Sequence, residues 1–169
     1  VFTKAGSNSL GDPNSLIDKL ELALFAGKIA AYAQGFAVME AASREFTWNL
    51  PMATIARIWR AGCIIRSQFL DTIASAFEQN KGLSNLLLAP DFVTMMQGAT
   101  PALRHIVARG AQEGLPLPAL SSALAFFDSY RQARGTANLI QAQRDFFGAH
   151  GFKRLDGEGD FHGPWGQQQ

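Results

Sequence analysis

Arg144, Gly148 and His150 close the run Asn138-Leu-Ile-Gln-Ala-Gln-Arg-Asp-Phe-Phe-Gly-Ala-His150, and together they suit the binding of a phosphate. An arginine presents a planar fork of N–H donors that matches two phosphate oxygens at once, and a neighbouring imidazole adds a further donor. Six positions along a continuous helix would leave the two side chains roughly 120° apart. A left-handed C′ glycine at Gly148 would end the helix and let Ala149 and His150 fold back. The same residues admit a plainer reading, in which Arg144 pairs with Asp145 or solvent and His150 merely caps a helix end.

Elsewhere the chemistry is sparse. His105, His150 and His162 with the single Cys63 make no pair at metal-ligand spacing, so no metal site is expected. Ser121-Ser122 lacks the strand–turn–helix setting of a serine nucleophile. Gly157-Glu-Gly159 resembles half of a dinucleotide fingerprint, yet it follows no strand and opens no helix, so it reads as a loop. No catalytic residue is expected within this chain.

The elements that must position Arg144 and His150 are helical. Residues 1–13 are rich in Gly, Ser and Asn without a period and read as a linker or a truncated start. A first helix spans Asn14 to about Phe46, with Asn14 or Ser15 as N-cap and Asp18 in its first turn. Its middle is apolar or small all round, the mark of a buried helix. Pro51 fits the first turn of a second helix ending near Gly62. A third runs from about Ser67 to Gln79, and Asn85-Leu-Leu-Leu88 is a short apolar plug. Pro90 starts a stretch through Met96, and Thr100-Pro101 caps another that ends near Gly110. Gly114-Leu-Pro-Leu-Pro118 breaks the helical pattern. A helix from about Ala119 to Arg134 follows, and the signature helix runs from about Ala137 to Phe147. Residues 14–150 therefore read as one all-α domain, and 151–169 as a flexible, irregular tail. The tail carries Phe152, Phe161 and Trp165, aromatics that need somewhere to dock.

Composition narrows the class. With 169 residues the chain suits one core. Its 17% charged residues fall below the roughly 25% of soluble domains, which implies broad burial or apolar surface meant for another chain. A net charge of +1 gives no field toward nucleic acid or an anionic membrane. Uncharged apolar stretches stay far short of the ~20 residues of a membrane span, and no secretory leader is expected. One cysteine excludes an internal disulfide and fits a reducing cytoplasm.

Longer strings carry a family resemblance. Tyr32-Ala-Gln-Gly-Phe36, Ile58-Trp-Arg-Ala-Gly-Cys-Ile-Ile-Arg-Ser67, Asn85-Leu-Leu-Leu88, Ser122-Ala-Leu-Ala-Phe-Phe-Asp-Ser-Tyr-Arg131 and the Asn138–His150 run occur in the order of the C-terminal region of 6-phosphogluconate dehydrogenases. The chain resembles that NADP-dependent, decarboxylating family from roughly Leu16 to His150. The resemblance implies a homodimer in which the tail threads through the other subunit. It implies that Arg144 and His150 bind the phosphate of 6-phosphogluconate in the partner's active site. It also implies that NADP is bound mainly by an N-terminal nucleotide-binding domain, and that the catalytic lysine and glutamate lie upstream of these residues. By that reading this chain alone neither oxidises nor decarboxylates the substrate. Tyr32, Trp59 and Phe126 fit core packing, Arg60 and Arg66 fit pairing with buried carboxylates or helix ends, and Cys63 fits a small buried hydrophobe. Gly163-Pro164 departs from the family, in which a threonine-containing segment commonly follows the Phe-His pair. The alternative is a non-catalytic helical interaction module derived from the same domain. Arg57, Arg60 and Arg66 are too few and too interspersed with core residues for a nucleic-acid-binding face.

Overall fold

The computed structural model describes residues 12–62 and 69–165. Its helices are α1 (Pro13–Glu45), α2 (Met52–Gly62), α3 (Phe69–Gln79), α4 (Pro90–Gln112), α5 (Pro118–Tyr130) and α6 (Ala137–Gly148), with a 3-10 turn at Leu86–Leu88. The expected all-α class is observed. Two compact units divide between Phe127 and Asp128, so α6 groups with the tail that follows it, and α5 runs across the division.

In the first unit α1 starts earlier than its composition suggests. The Asp12 carboxylate accepts the Ser15 N–H at 2.9 Å, and Pro13 takes the first helical position, where its missing N–H costs nothing. The cap is thus Asp12 rather than Asn14 or Ser15, and Asp18 stands beyond the first turn. Nor is α1 buried all round. Ala23, Ala26, Ile29, Ala30, Ala33 and Phe36 form its buried stripe, while Leu20, Leu22, Leu24 and Val38 are exposed, Leu24 at 67%.

Small residues on the buried stripe let neighbours come close. A Cβ on Gly27 would stand 3.0 Å from Leu120 Cδ2 of α5, a tight contact that glycine relieves. α1 packs mainly along α4, and α2 along α3, with the 3-10 turn wedged against α1 and α4. Two aromatic groups knit these layers. Phe36 of α1 lies 5.4 Å from the Trp59 ring of α2 and 5.3 Å from the Phe77 ring of α3. Phe69 meets Phe25, Tyr32 and Phe92 at 5.4–5.8 Å between centroids. Tyr32, Trp59 and Phe126 all pack against the core, as expected. Among the described residues α1 is also the one helix long and apolar enough to cross a bilayer. Its charge-free runs are short, but its few charges are dispersed and leave the helix long and apolar on average. Its stripe packed on α4 shows that a core helix meets the same criterion.

Several boundaries depart from expectation for identifiable reasons. Pro51 sits just before α2, its carbonyl accepting the Ile55 N–H at 3.0 Å. α4 is continuous through Pro101, although two helices were expected there. Phe92, Met96, Ala99, Thr100, Leu103 and Ile106 form one buried face across the proline, and that burial outweighs the hydrogen bond proline cannot make. The Thr100 hydroxyl also donates to the Met96 carbonyl at 2.5 Å. α5 stops at Tyr130 instead of Arg134, because residues 131–134 are all exposed and have no face to bury. Arg60 pairs at 3.0 Å with Asp71, a half-exposed carboxylate in the first turn of α3, where a buried carboxylate or a helix end was the expectation. Cys63, Arg66 and the expected start of the third helix at Ser67 lie outside the described residues.

Phe36 is 1% exposed and bridges three helices. Chemical denaturation of Phe36→Ala is expected to show a loss of about 3–5 kcal/mol. A loss below about 1 kcal/mol would mean the aromatic cluster does not organise this unit.

Candidate functional site

In the second unit α6 is unusual for what it hides. Leu139, Ile140, Phe146 and Phe147 are 57–76% exposed, and the buried residue of the helix is Asp145. An acidic residue in the last turn of a helix faces the negative end of the dipole and needs compensation. Here four donors provide it. The Gly151 N–H reaches one carboxylate oxygen at 2.8 Å, and His162 Nδ1 lies 2.7 Å from the same atom. The Gly163 N–H and the Trp165 indole N–H each donate to the other oxygen at 2.7 Å. The Gly163 amide does most to hold Asp145 far below the usual carboxylate range. Burial opposes it, and the Trp165, His162 and Gly151 donors add to the lowering.

These bonds fold residues 151–165 back onto α6. Phe152 and Phe161 exchange both backbone hydrogen bonds, at 2.8 and 2.9 Å, in an isolated antiparallel bridge. Gly157-Glu158-Gly159 lies in the loop between them, so it is no part of a nucleotide cradle. Arg154 pairs with Asp156 and lies over the Phe161 ring at 5.4 Å. The Trp165 ring meets Phe146 edge-on at 5.8 Å. The docking place that the tail aromatics call for includes this helix of their own chain.

His150 does fold back, though not through a left-handed Gly148. Gly148 is the last helical residue, and Ala149 takes the left-handed conformation, with φ 50° and ψ 39°. At Gly148 the imidazole takes the space that a side chain would use. A Cβ there would stand 2.8 Å from His150 Nε2 and 2.9 Å from its Cδ2, because the imidazole lies over the helix end. Gln141 then links Arg144 to the residue that follows His150. Its side-chain N–H donates to the Gly151 carbonyl at 2.5 Å, and its oxygen accepts from Arg144 at 3.3 Å. Arg144 therefore does not pair with Asp145, whose oxygens are taken by the tail. Both Arg144 and His150 are exposed. His150 lines an open groove of about 880 Å³ with Arg134, Asn138, Gln141, Lys153 and Arg154, whereas Arg144 stands beside that groove, joined to it through Gln141.

Residues 2–165 match the family described as 6-phosphogluconate dehydrogenase, C-terminal domain. The chain belongs to this family. It is 53% identical over 165 residues to the decarboxylating 6-phosphogluconate dehydrogenase of Klebsiella pneumoniae, and 54% identical over 165 residues to one from Escherichia coli. Each match takes in 98% of this chain and 35% of the relative, so the chain spans about a third of the length of its curated relatives. A solved structure of the Plasmodium falciparum 6-phosphogluconate dehydrogenase superposes with a TM-score of 0.88 at 39% identity. That superposition takes in 97% of this chain and 35% of the other. The Plasmodium enzyme was studied in its apo form, with its cofactor NADP+ and with its substrate 6-phosphogluconate.

The family match extends through residue 165, and within the folded tail Gly163 has a steric role. A Cβ on Gly163 would stand 2.2 Å from Trp165 Cε2, so the indole occupies the space that any side chain at 163 would need. Sequence reasoning missed both Asp145 as the centre of the tail and Gln141 as the link. The available signal was an acid placed against the helix dipole, beside a tail rich in N–H donors.

Because Asp145 is depressed in the folded chain, its contribution to tail docking is complete above the unfolded carboxylate value of about 3.9 and is lost as pH falls below it. The Gly151 and Gly163 amide resonances are expected to pass through pH 4 without a step and to move together only in stronger acid, as the depressed carboxylate takes its proton. Independent movement, or none, would contradict the shared carboxylate.

Proposed function

We propose that this chain grips the phosphate of 6-phosphogluconate with Arg144 and His150, presented by one subunit to the active site of its partner, in an NADP-dependent, decarboxylating 6-phosphogluconate dehydrogenase. One observation carries the reading. The end of α6 folds an imidazole back over Gly148, and Gln141 joins Arg144 to the adjacent peptide, leaving two exposed phosphate donors on a common support. The names of the relatives supply the substrate and the reaction class, and the Plasmodium structure supplies NADP.

Arg144 and His150 would act by binding and orientation. A guanidinium and an imidazole on the phosphate hold the sugar acid by its remote end, and that binding energy positions the carbon that reacts. NADP, when bound, supplies the hydride acceptor. None of the described residues forms a Gly-rich strand–turn–helix cradle for it, so the nucleotide falls to other parts of the longer protein. These 169 residues alone are accordingly expected to show no turnover.

A homodimer follows from the same reading. Leu139 and Ile140 at the start of α6 and Phe146 and Phe147 at its end are exposed, and Leu24 and Val38 stand uncovered on α1. Apolar surface of this extent on a chain with so few charges suits association with a second copy. Light scattering is expected to give a dimer, and a monomer at micromolar concentration would count against delivery across subunits.

In the longer enzyme Arg144→Ala and His150→Ala are each expected to raise KM for 6-phosphogluconate by about 10- to 100-fold. KM for NADP should stay within about twofold, since these groups address the sugar phosphate alone. Parallel rises in both constants would refute the assignment.

A further inference from the structure

We infer that Asp145 is a positioning residue for the phosphate grip, and that residues 152–165 serve, within their own chain, as the latch through which it acts. The inference rests on the Arg144–His150 reading above and adds the device that holds His150 in place.

The peptide that follows His150 is fixed on both sides. The Gly151 N–H donates to Asp145, and the Gly151 carbonyl accepts from Gln141. Ala149 just before it holds φ 50°, a conformation that an L-residue leaves unless its neighbours impose it. His150 therefore sits between a strained residue and a clamped one, and the clamp is the Asp145 carboxylate. That carboxylate is wholly buried, and its remaining acceptor positions go to His162, Gly163 and Trp165 at the far end of the tail. Remove those donors and a buried charge is left partly unpaired, which forces the last turn of α6 to open to water. The consequence reaches Arg144 as well, because Gln141 contacts both Arg144 and Gly151. No residue of the latch needs to touch the substrate for the substrate to depend on it.

Gly163 is the point at which the latch closes. The Trp165 indole reaches Asp145 only by lying across Gly163, where a Cβ would meet it at 2.2 Å. Phe146 supports the other side of the ring at 5.8 Å. A side chain at 163 would push the indole away and release one of the four donors.

The test uses the longer enzyme that contains this chain, with four variants measured side by side. Asp145→Asn keeps the size but, in either amide orientation, sets an N–H₂ against a backbone N–H donor, that of Gly151 or of Gly163. Gly163→Ala displaces the indole, Trp165→Phe keeps the ring and deletes its hydrogen bond, and Arg144→Ala is the reference for the phosphate reading. Asp145→Asn is expected to raise KM for 6-phosphogluconate about tenfold, and the two tail variants about threefold or more, with KM for NADP unchanged. A purely structural role would lower the active fraction, reducing kcat and leaving both KM values alone. If Arg144→Ala raises KM for the sugar phosphate but the other three variants leave it unchanged, the latch is refuted and the phosphate reading stands. If Arg144→Ala also leaves it unchanged, the phosphate reading falls and the latch with it. Should Asp145→Asn fail to fold, Gly163→Ala and Trp165→Phe decide the matter by the same split.

Discussion

A carboxylate without solvent, set in the last turn of a helix whose dipole repels it, is the constraint around which the second unit of this chain is arranged. Asp145 tolerates that place because four donors converge on it, two from backbone amides and two from side chains. Satisfying them fixes the path of the chain. The tail must return after Phe152, close a bridge at Phe161, and present Gly163 and Trp165 to the same group that holds Gly151. A stretch with no helical or strand period thus acquires a defined conformation from one buried charge rather than from a core.

The first unit is held by a different logic. There the buried stripe of α1 is made largely of alanines with Ile29 and Phe36, and aromatic rings from four helices interlock across it. The two units share one trait, which is large apolar side chains left uncovered: Leu24, Val38 and Ile58 in the first, Leu139, Phe146 and Phe147 in the second. α6 in particular has 12 residues and no buried apolar side chain, too little to sustain a helix by its own propensity. The proposed cross-subunit site explains both facts together, since a helix that delivers ligands to a partner keeps its apolar face for that partner.

Much of this was legible in the residues. Pro51 and Pro90 mark helix starts to within a position, the breaks ending at Pro13 and Pro118 bound two more, and the Asn138–His150 run carries the family resemblance and the two proposed phosphate ligands. What escaped was decided at long range. Pro101 reads as a break, and only the apolar face spanning it, packed on α1, keeps α4 continuous. Asp145 reads as a neighbour for Arg144, and only the return of a tail 18 to 20 positions later shows that its oxygens are already taken. Gly148 reads as a left-handed cap, whereas the structure spends that conformation on Ala149 and reserves the glycine for the imidazole above it. Periodicity reports which face of an element is buried. It does not report which distant donor a single carboxylate will collect.

The most direct test of the account is a structure of the longer enzyme with 6-phosphogluconate bound. The Arg144 guanidinium and the His150 imidazole of one protomer should both lie at about 2.7–3.2 Å from oxygens of a phosphate seated in the other protomer, with Asp145 still holding Gly151 and Gly163. A phosphate held without either group, or held while the tail has left Asp145, would contradict it.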